Sequence, residues 1–465
     1  MKKRIKKLLV ENPYFGQFVV LRLATQIYLQ NVLHVFWGIK LVNFTRSSIS
    51  SQKRFFLKQK DYGKKVEFLI AMADKEYERG VGYRATSRLL VDAEIVRIQK
   101  QVGDTATVVS NTTLILDPGW VANVGHTASA TVYSKAKMMG LIEHEVSIMY
   151  SNTANTELIR LLGMHLNITK LSQKHLSTLL LNFPNQFSAF GVFNFGKKGI
   201  FGEYEGQNMI EKMWDERKPI NSPIYSREEI EIPLTESQII DSRGFRDNPF
   251  VTFHIRNTSE STIRTANNVN PDTFVPAIEF MLHSGIRVAL LGNNSAPHFK
   301  DSIIKHPLFW DYAHSDTRHS SIDIYLMSHA IFFVGTASGP IQIPNLFGVP
   351  ILYTNQPHIA CNYRLKGYVI PQLVKRTDSE TPIDYSEMLQ IPLGWSNREA
   401  YNNLERIRNS PGDILSGVKL MYSEWLDGSS LDNSFMEKEQ YFEGSKPAML
   451  IEPNFYFQYQ NVFRN

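Results

Sequence analysis

From about residue 112 onward, short β-branched and aliphatic runs alternate with segments of helical periodicity. The run TTLIL is followed by a turn-rich loop, DPGWVANVGH, then by the helix TASATVYSKAKMMG and a second run, HEVSIMY. This order of strand, loop, helix and strand is the unit of a parallel α/β sheet. It predicts a first α/β domain over residues 103–241, with one more helix and one more strand in LSTLLLNF and QFSAFGVF.

A second and clearer α/β series follows the segment SRGFRDNP (242–249), whose Gly, Pro, Asp and Asn residues predict a linker. Its first helix is PDTFVPAIEFMLHS, with Asn270 as N-cap, Pro271 at the first helical position and Gly285 just past the end. Further helices are predicted near SSIDIYLMSHA and within SGPIQIPNLFG, and the predicted strands are FVTFHI, IRVALLG, IFFVG and VPILYT. A second α/β domain over residues 242–400 follows from this series.

The two ends of the chain have simpler patterns. Ser410-Pro411-Gly412-Asp413 resembles a capping box that opens the helix DILSGVKLMYSEWL, so residues 401–465 are predicted to be a C-terminal helix and tail. Residues 60–102 have helical spacing on both sides of Gly80 and Gly82, which predicts a helical pair. Residues 1–102 are therefore predicted to form a basic, amphipathic arm and a helical extension.

The arm is neither a good signal peptide nor a good membrane span, because polar residues interrupt its apolar stretch. Arg22, Gln26, Gln30 and His34 are four residues apart and would form one polar stripe on a helix. Such a helix could pack on the core of the protein, or it could lie on anionic lipid beside the basic residues that precede it. The second alternative predicts a cytoplasmic protein, peripheral on the inner face of the membrane. The basic residues are Lys2, Lys3, Arg4, Lys6 and Lys7.

Charge and composition narrow the functional classes. Residues 1–65 carry 14 Lys+Arg against 2 Asp+Glu, whereas the remainder carries 36 against 43. A mildly acidic body argues against nucleic acid as a partner. Cys361 is the only cysteine, which excludes an intramolecular disulfide and a thiolate zinc cluster. The 13 histidines are scattered without an HExxH motif, so we predict no bound metal and no cofactor.

Polar residues and glycines follow every predicted strand of the second domain, whereas the strand bodies are apolar. Ligands of parallel α/β sheets bind beyond the carboxyl ends of the strands, so these residues are predicted to line a binding site. A helix-start residue, Asp323, could contact the same ligand or could simply occupy a first helical turn. The strand-end residues are His254, Arg256, Gly292, Asn293, Gly335, Thr336, Ser338, Gly339 and Asn355.

The chemistry of these residues suits a diphosphate. The segment GTASG (335–339) feeds a strand into a helix, so its backbone N–H groups could bind an anion, with hydroxyls from Thr336 and Ser338. Arg256 would add a forked cation that matches phosphate oxygens. The site is not a P-loop, because GxxxxGK[ST] is absent, and GxGxxG and GxSxG are absent as well. A single HxR pair or GTASG turn would more often be structural, and their shared position at strand ends favours a site.

These segments also resemble a known family. HIR (254–256), the stretch TANNVNPDTFVPAIEFMLHSGIRVALLG and the stretch DIYLMSHAIFFVGTASGPIQIPNLFGVPILYTN resemble an uncharacterised family of bacterial glycosyltransferases from surface-polysaccharide loci. The HxR motif is distantly similar to that of fucosyltransferases that use GDP-fucose, although Asn257 and Thr258 depart from the residues that often follow it. The resemblance covers roughly residues 110–380 and is most specific over 250–355.

The resemblance implies a GT-B-like fold, in which two Rossmann-like domains face a cleft. The C-terminal domain would bind a nucleotide-sugar donor, and the N-terminal domain a glycan, glycolipid or protein acceptor. The GWVANVGH loop matches a glycine-histidine turn of the family, so His126 becomes the candidate general base. Asp117 is the rival base, or it could orient His126, and His126 could instead pack on the following helix.

Two other classes remain open at this point. A nucleotide-sugar epimerase or hydrolase could use the same fold, and consumption of donor without acceptor would identify it. A non-catalytic, membrane-associated binding protein is the second alternative, although polar residues at all four strand ends argue against it. Glycosyl transfer without a metal fits best, because basic residues and helix dipoles could neutralise the leaving diphosphate.

Overall fold

The protein is described here from a computed structural model of the 465-residue chain. The arm and the helical pair of residues 1–102, Asn293 and the predicted helix LSTLLLNF lie outside the described residues. The described ranges are 113–172, 187–188, 191–195, 199–217, 222–257, 268–292, 296–356, 365–391, 403–428 and 449–463.

The first domain contains a parallel sheet in the order β3-β2-β1-β4 and a separate antiparallel hairpin of β5 and β6. Its core includes Trp120, Tyr133 and Phe193, all fully buried. Its strands are β1 (Thr113–Leu116), β2 (Glu145–Tyr150), β3 (Asn167–Lys170), β4 (Phe187–Ser188), β5 (Val192–Asn194) and β6 (Ile200–Gly202). Its helices are α1 (Gly119–Ala122), α2 (Val124–Met138), α3 (Thr156–Leu162) and α4 (Glu203–Arg217).

The second domain is built on one seven-stranded parallel sheet. Its strands are β7 (Phe250–His254), β8 (Arg287–Leu291), β9 (Phe309–Trp310), β10 (Phe333–Gly335), β11 (Ile351–Gln356), β12 (Gly367–Pro371) and β15 (Leu450–Ile451), and β13 (Leu373–Arg376) and β14 (Leu404–Ile407) form a separate antiparallel pair. Its helices are α5 (Leu234–Ser242), α6 (Val275–His283), α7 (Asp301–Ile304), α8 (Ser320–His329), α9 (Ile343–Leu346), α10 (Tyr385–Gln390), α11 (Pro411–Asp427), α12 (Pro453–Gln458) and α13 (Gln460–Phe463).

The strand order of this sheet is that of a doubly wound nucleotide-binding fold. Read from one edge, the order is β9-β8-β7-β10-β11-β12-β15. Numbered along the chain, the first six strands of the domain are arranged 3-2-1-4-5-6, with β15 added at the edge. The order reverses between β7 and β10, and a ligand crevice is expected beyond their carboxyl ends. The predicted α/β fold class with two parallel-sheet domains is confirmed.

Local sequence signals account for the helix ends. The Asn270 side chain accepts a hydrogen bond from the Asp272 N–H at 3.1 Å, and Gly285 follows α6 with a φ of 76°. The capping box at the start of α11 is present, since Ser410 and Asp413 each accept the other's backbone N–H. These two predictions are confirmed.

The loop predicted over DPGWVANVGH is wrong in its extent. Residues Gly119–Ala122 form α1, and α2 begins at Val124, three residues earlier than the predicted helix. The cause is Asn123, which has an extended backbone and accepts a hydrogen bond from the Gly125 N–H at 2.9 Å. An asparagine N-cap satisfies an N–H of the first turn and so permits the early start.

The segments that precede and follow residues 242–400 in the chain pack against the second domain. Ile240 in α5 and Phe245 in the predicted linker are buried in its core, so this core extends N-terminal to residue 242. At the other end, β15 pairs with β12, and Gly417 in α11 lies against the Leu352 side chain. Residues 403–428 and 449–463 are therefore part of the second domain. Within the described residues, no helix is long and apolar enough to cross a membrane.

Buried polar contacts join the two domains directly. The Ser129 hydroxyl in α2 donates to the Gln342 side chain at 2.9 Å, and Gln207 in α4 reaches the same oxygen at 3.3 Å. The Asn155 side chain, just before α3, donates to the Ser320 carbonyl at 3.1 Å. Because buried polar groups need specific partners, these contacts fix how α2 lies on the second domain.

Candidate active site at the switch between β7 and β10

The register of the second sheet aligns the ends of its central strands. His254, the last residue of β7, pairs with Gly335 at the end of β10 and with Leu291 at the end of β8. Gly335 pairs in turn with Tyr353 in β11. The polar residues that follow these strands therefore lie along one edge, as predicted, and they centre on the point where the strand order reverses.

Thr336 is fully buried and holds the backbone beyond β7 in place. Its Oγ1 atom accepts a hydrogen bond from the Arg256 N–H at 3.0 Å, and its own N–H donates to the His254 carbonyl at 3.1 Å. The Arg256 carbonyl accepts from the Val269 N–H at 3.1 Å. Backbone hydrogen bonds thus hold Arg256 at the switch point. The Thr336 hydroxyl makes one of them, so it positions Arg256.

His254 is a neutral imidazole beside a cation. Burial, and after it the positive charge of Arg256, lowers the pKa of His254 to about 4. Its Nδ1 atom has no hydrogen-bond partner among the described residues. A neutral ring next to Arg256 can accept or donate a hydrogen bond to a ligand without adding charge.

The turn after β10 touches the first turn of α2. Ser338 has an extended backbone and precedes a 3₁₀ segment, Gly339–Gln342, that runs into α9. A Cβ atom on Gly125 would lie 2.6 Å from the Gly339 Cα, and one on Gly339 would lie 2.7 Å from the Gly125 nitrogen. Only two glycines allow this approach, because Cβ atoms do not come so close to backbone. The positive end of α2 therefore lies against the small-residue turn.

His126 is the neighbour of Gly125 and the third residue of α2. Its partly buried ring stands edge-on to Trp120, with ring centroids 6.5 Å apart and planes at 89°. The contact between Gly125 and Gly339 brings this part of the first domain to the carboxyl edge of the second. The His126 backbone therefore follows the residue that touches the turn after β10, while its ring contacts Trp120 of the first-domain core. Its function as a base stays a prediction.

Asp117 has a local structural use. Its Oδ1 atom accepts a hydrogen bond from the Gly119 N–H at 2.8 Å, which closes the turn that starts α1. A carboxylate that satisfies a backbone donor in this way is a common turn device. Its predicted roles, as the rival base or as the group that orients His126, stay predictions.

Gly292 and Asn355 lie further along the same edge. Gly292 has a φ of 147°, and a Cβ atom there would be 3.0 Å from the Ala296 Cβ. Asn355 has a φ of 52° and exchanges two hydrogen bonds with Asn409, in each of which a backbone N–H donates to the other residue's side-chain oxygen. Asn355 is buried, so its side chain ties β11 to the segment before α11. Asn409 was missed because a single Asn in a loop gives no sequence signal.

Asp323 lies in the first turn of α8 and is partly buried. Burial raises the pKa of Asp323 to about 6, opposed by the nearby Tyr312 hydroxyl and by the charges of Arg318 and His319. The one proton of the Tyr312 hydroxyl is donated to the His319 carbonyl at 3.0 Å, and the same oxygen accepts from the His319 N–H at 2.8 Å. The predicted contact of Asp323 with a ligand stays a prediction.

Comparison with known proteins gives structural matches alone. No family model matches the chain, and no curated protein matches it. Solved structures similar to it include the ADP-heptose LPS heptosyltransferase II of E. coli, with 10% identity, a TM-score of 0.39 and coverage of 68% of this chain and 99% of that chain. Another is the iron-containing dodecameric heptosyltransferase TibC in complex with ADP-D-β-D-heptose, with 10% identity, a TM-score of 0.37 and coverage of 68% and 77%.

A third similar structure is the E. coli heptosyltransferase WaaC with ADP, with 9% identity, a TM-score of 0.33 and coverage of 62% of this chain and 96% of that chain. These three structural neighbours are heptosyltransferases. At TM-scores below 0.5 they support no conclusion about the substrate or mechanism of this chain. The proposal below rests on the geometry of the chain itself.

Proposed function

We propose that the protein is a glycosyltransferase that moves a sugar from a nucleotide-diphosphate donor to a cell-surface glycan, glycolipid or protein acceptor. The observation that carries this proposal is the contact between Gly125 and Gly339. It brings the positive end of α2 and the residue His126 to the edge where Arg256 and the turn after β10 lie. The contact supports a site in which groups that suit a diphosphate adjoin the part of the first domain that carries His126.

The donor would lie along the carboxyl edge of the second sheet. The diphosphate would accept hydrogen bonds from the Arg256 guanidinium and from backbone N–H groups near Ser338 and Gly339. The neutral His254 would add a hydrogen bond at the same place. As the bond between sugar and diphosphate breaks, negative charge grows on the leaving oxygen, and these fixed donors stabilise it without a metal ion.

The acceptor would approach from the first domain. Its hydroxyl attacks the anomeric carbon, and His126 takes the hydroxyl proton as the new glycosidic bond forms. The ordinary pKa of histidine, about 6.5, suits a proton acceptor near neutral pH. The contact between the two domains helps to exclude water, which would otherwise compete with the acceptor.

A thermal-shift panel of UDP, GDP, ADP, dTDP and CMP tests the donor site. A nucleotide present at 100 times its dissociation constant should stabilise the protein by about 2.7 kcal/mol. We expect one nucleotide to stabilise the wild type by this amount. The same nucleotide should stabilise the Arg256→Lys variant only weakly, since the point charge of lysine cannot replace the forked guanidinium group. Arg256→Ala should remove the shift, whereas Arg376→Ala, at an exposed ion pair with Glu387, should keep it.

A panel in which no nucleotide stabilises the wild type would contradict the donor site. Consumption of the nucleotide-sugar donor at equal rates with and without acceptor would favour the epimerase or hydrolase alternative. The membrane location is proposed separately, from the charge of residues 1–65, and co-sedimentation with anionic liposomes tests it. Equal sedimentation with neutral liposomes would remove that part of the proposal.

A further inference from the structure

Three residues at the far edge of the second sheet form a cluster that the sequence did not suggest. His298 follows β8, and Asp311 and His314 follow β9. One side-chain ligand atom from each residue lies within 4.8 Å of the other two. From this cluster we propose that the protein binds one divalent transition-metal ion, of the kind that Zn²⁺ represents, through His298, Asp311 and His314.

The hydrogen bonds of His314 point to a metal. Its Nε2 atom lies 3.2 Å from the Ala296 carbonyl oxygen, which can only accept, so Nε2 carries the proton there. In that tautomer the Nδ1 atom has a lone pair, and it lies 2.7 Å from the Asp311 Oδ1. Two lone pairs at this distance repel each other unless a cation lies between them, which is either a metal ion or the second ring proton of an imidazolium. Metal-binding histidines usually donate their second ring N–H to a carbonyl in this way.

The third ligand and the exposure of the cluster complete the site. The rings of His298 and His314 are 3.9 Å apart between centroids and nearly parallel, at 19°. His298 is exposed, whereas the Asp311 and His314 side chains are 19% and 16% exposed. An exposed ring can turn toward an ion held by the other two residues. Two imidazoles and one carboxylate, with a remaining position open to water, is a ligand set that Zn²⁺ accepts.

Distances set how far the ligands must move. With metal-ligand bonds of about 2.0–2.2 Å, tetrahedral ligands are roughly 3.3–3.6 Å apart. The separation of 2.7 Å between His314 and Asp311 must open slightly, and His298, whose ligand atom lies within 4.8 Å of the other two, must move to the tetrahedral distance. Rotation of the exposed His298 side chain can supply most of that change, because rotamer changes of exposed residues are fast and cheap.

The position of the cluster suggests what the ion would do. Gly292, at the end of β8, packs close to Ala296 and near Ala313, which lie beside the proposed ligands in the chain. An ion held by both loops would clamp the loop after β8 to the loop after β9. The role is structural, so it is independent of the proposed glycosyl transfer and compatible with transfer that needs no metal at the diphosphate.

Zinc binding by the full chain, freed of metal with a chelator, tests the site. We expect one Zn²⁺ per chain and a higher melting temperature with Zn²⁺ than with Mg²⁺. His298→Ala should weaken binding by at least about 10–100-fold, because it removes a ligand that is exposed and therefore not needed for folding. Its melting temperature without metal should equal that of the wild type. His283→Ala, at an exposed histidine in the last turn of α6, is the matched control and should bind as the wild type does.

Cobalt distinguishes this site from one at Cys361. A Co²⁺ complex with nitrogen and oxygen ligands should lack the thiolate charge-transfer band that a cysteine ligand would give. Stoichiometric binding that His298→Ala leaves unchanged would overturn the proposal. Absence of stoichiometric Zn²⁺ binding would also overturn it, and the pair of His314 and Asp311 would then be a hydrogen-bonded ion pair.

Discussion

Burial affects the two strand-end residues His254 and Arg256 in different ways. It keeps His254 neutral, because an imidazolium there would be desolvated and would face the Arg256 charge. An arginine keeps its charge in such surroundings. One residue therefore supplies a fixed cation and the other a neutral hydrogen-bonding group, which suits recognition of a phosphate beside an uncharged sugar.

His126 provides the sharpest test at the scale of single residues. His126→Ala should lower the rate of transfer by roughly 10²–10⁴-fold, because the attacking hydroxyl loses its proton acceptor. Nucleotide affinity should change little, since the side chains proposed to bind the diphosphate, Arg256 and His254, lie on the second domain. Turnover measured beside nucleotide binding separates these effects. A rate near that of the wild type would exclude His126 as the base, and lost folding would assign the residue to packing.

The sequence alone predicted the position of a residue correctly where the end of an apolar run marked the end of a strand. Arg256 and the GTASG turn could be placed at strand ends because apolar runs end there, and the register confirms that placement. The sequence was less informative for Thr336 and Asn355. Both are polar residues at strand ends, yet both are buried and bonded to protein groups. Which polar residue faces a ligand depends on the packing of neighbouring strands, and one sequence does not contain that information.

At the scale of elements, the decisive contact joins α2 to the turn after β10. Nothing in the sequence pairs Gly125 with Gly339, because they are far apart in the chain and each follows a different strand. The start of α2 could have been found from Asn123, since asparagine is a preferred N-cap residue. The helical pair of residues 60–102 lies outside the described residues and stays a prediction.

Gly339→Ala tests this contact. The added Cβ would lie 2.7 Å from the Gly125 nitrogen and 3.0 Å from its Cα, both backbone atoms that cannot rotate away. We expect a loss of about 1–3 kcal/mol in the free energy of unfolding, together with weaker nucleotide binding. Denaturant unfolding and nucleotide titration measure the two effects.

Gly412→Ala is the matched control, because the nearest atom to its Cβ would be the Ser410 hydroxyl at 3.6 Å, an ordinary contact. It should leave nucleotide binding unchanged and should not lower the free energy of unfolding, since alanine at an unstrained helical position stabilises by about 0.4–1 kcal/mol. If Gly339→Ala behaved like this control, the two domains would not be held at the distance seen here, and the site would need another arrangement.

At the scale of the whole molecule, two parallel sheets contribute their carboxyl edges to one place. The strand order 3-2-1-4-5-6 of the second domain puts the reversal between β7 and β10, where the predicted diphosphate residues lie. The first domain has the order 3-2-1-4, and β1, its strand at the reversal, leads through α1 into α2. The α/β class followed from alternating periodicity alone. Five strands of the second domain, β9 and β12 to β15, were missed. Of these, β9 and β15 have two residues each and lie at the sheet edges, where the hydrophobic signal is weak.

A structure of the protein bound to the nucleoside diphosphate that stabilises it most is the most direct measurement. The account predicts both phosphates at the switch between β7 and β10, within hydrogen-bond distance of the Arg256 guanidinium and beside Gly339 and the first turn of α2. The base and sugar should extend along the carboxyl edge of the second sheet. A diphosphate bound elsewhere, with Arg256 more than about 6 Å from either phosphorus, would contradict it, since charge-assisted hydrogen bonds need donor–acceptor distances near 2.7–2.9 Å.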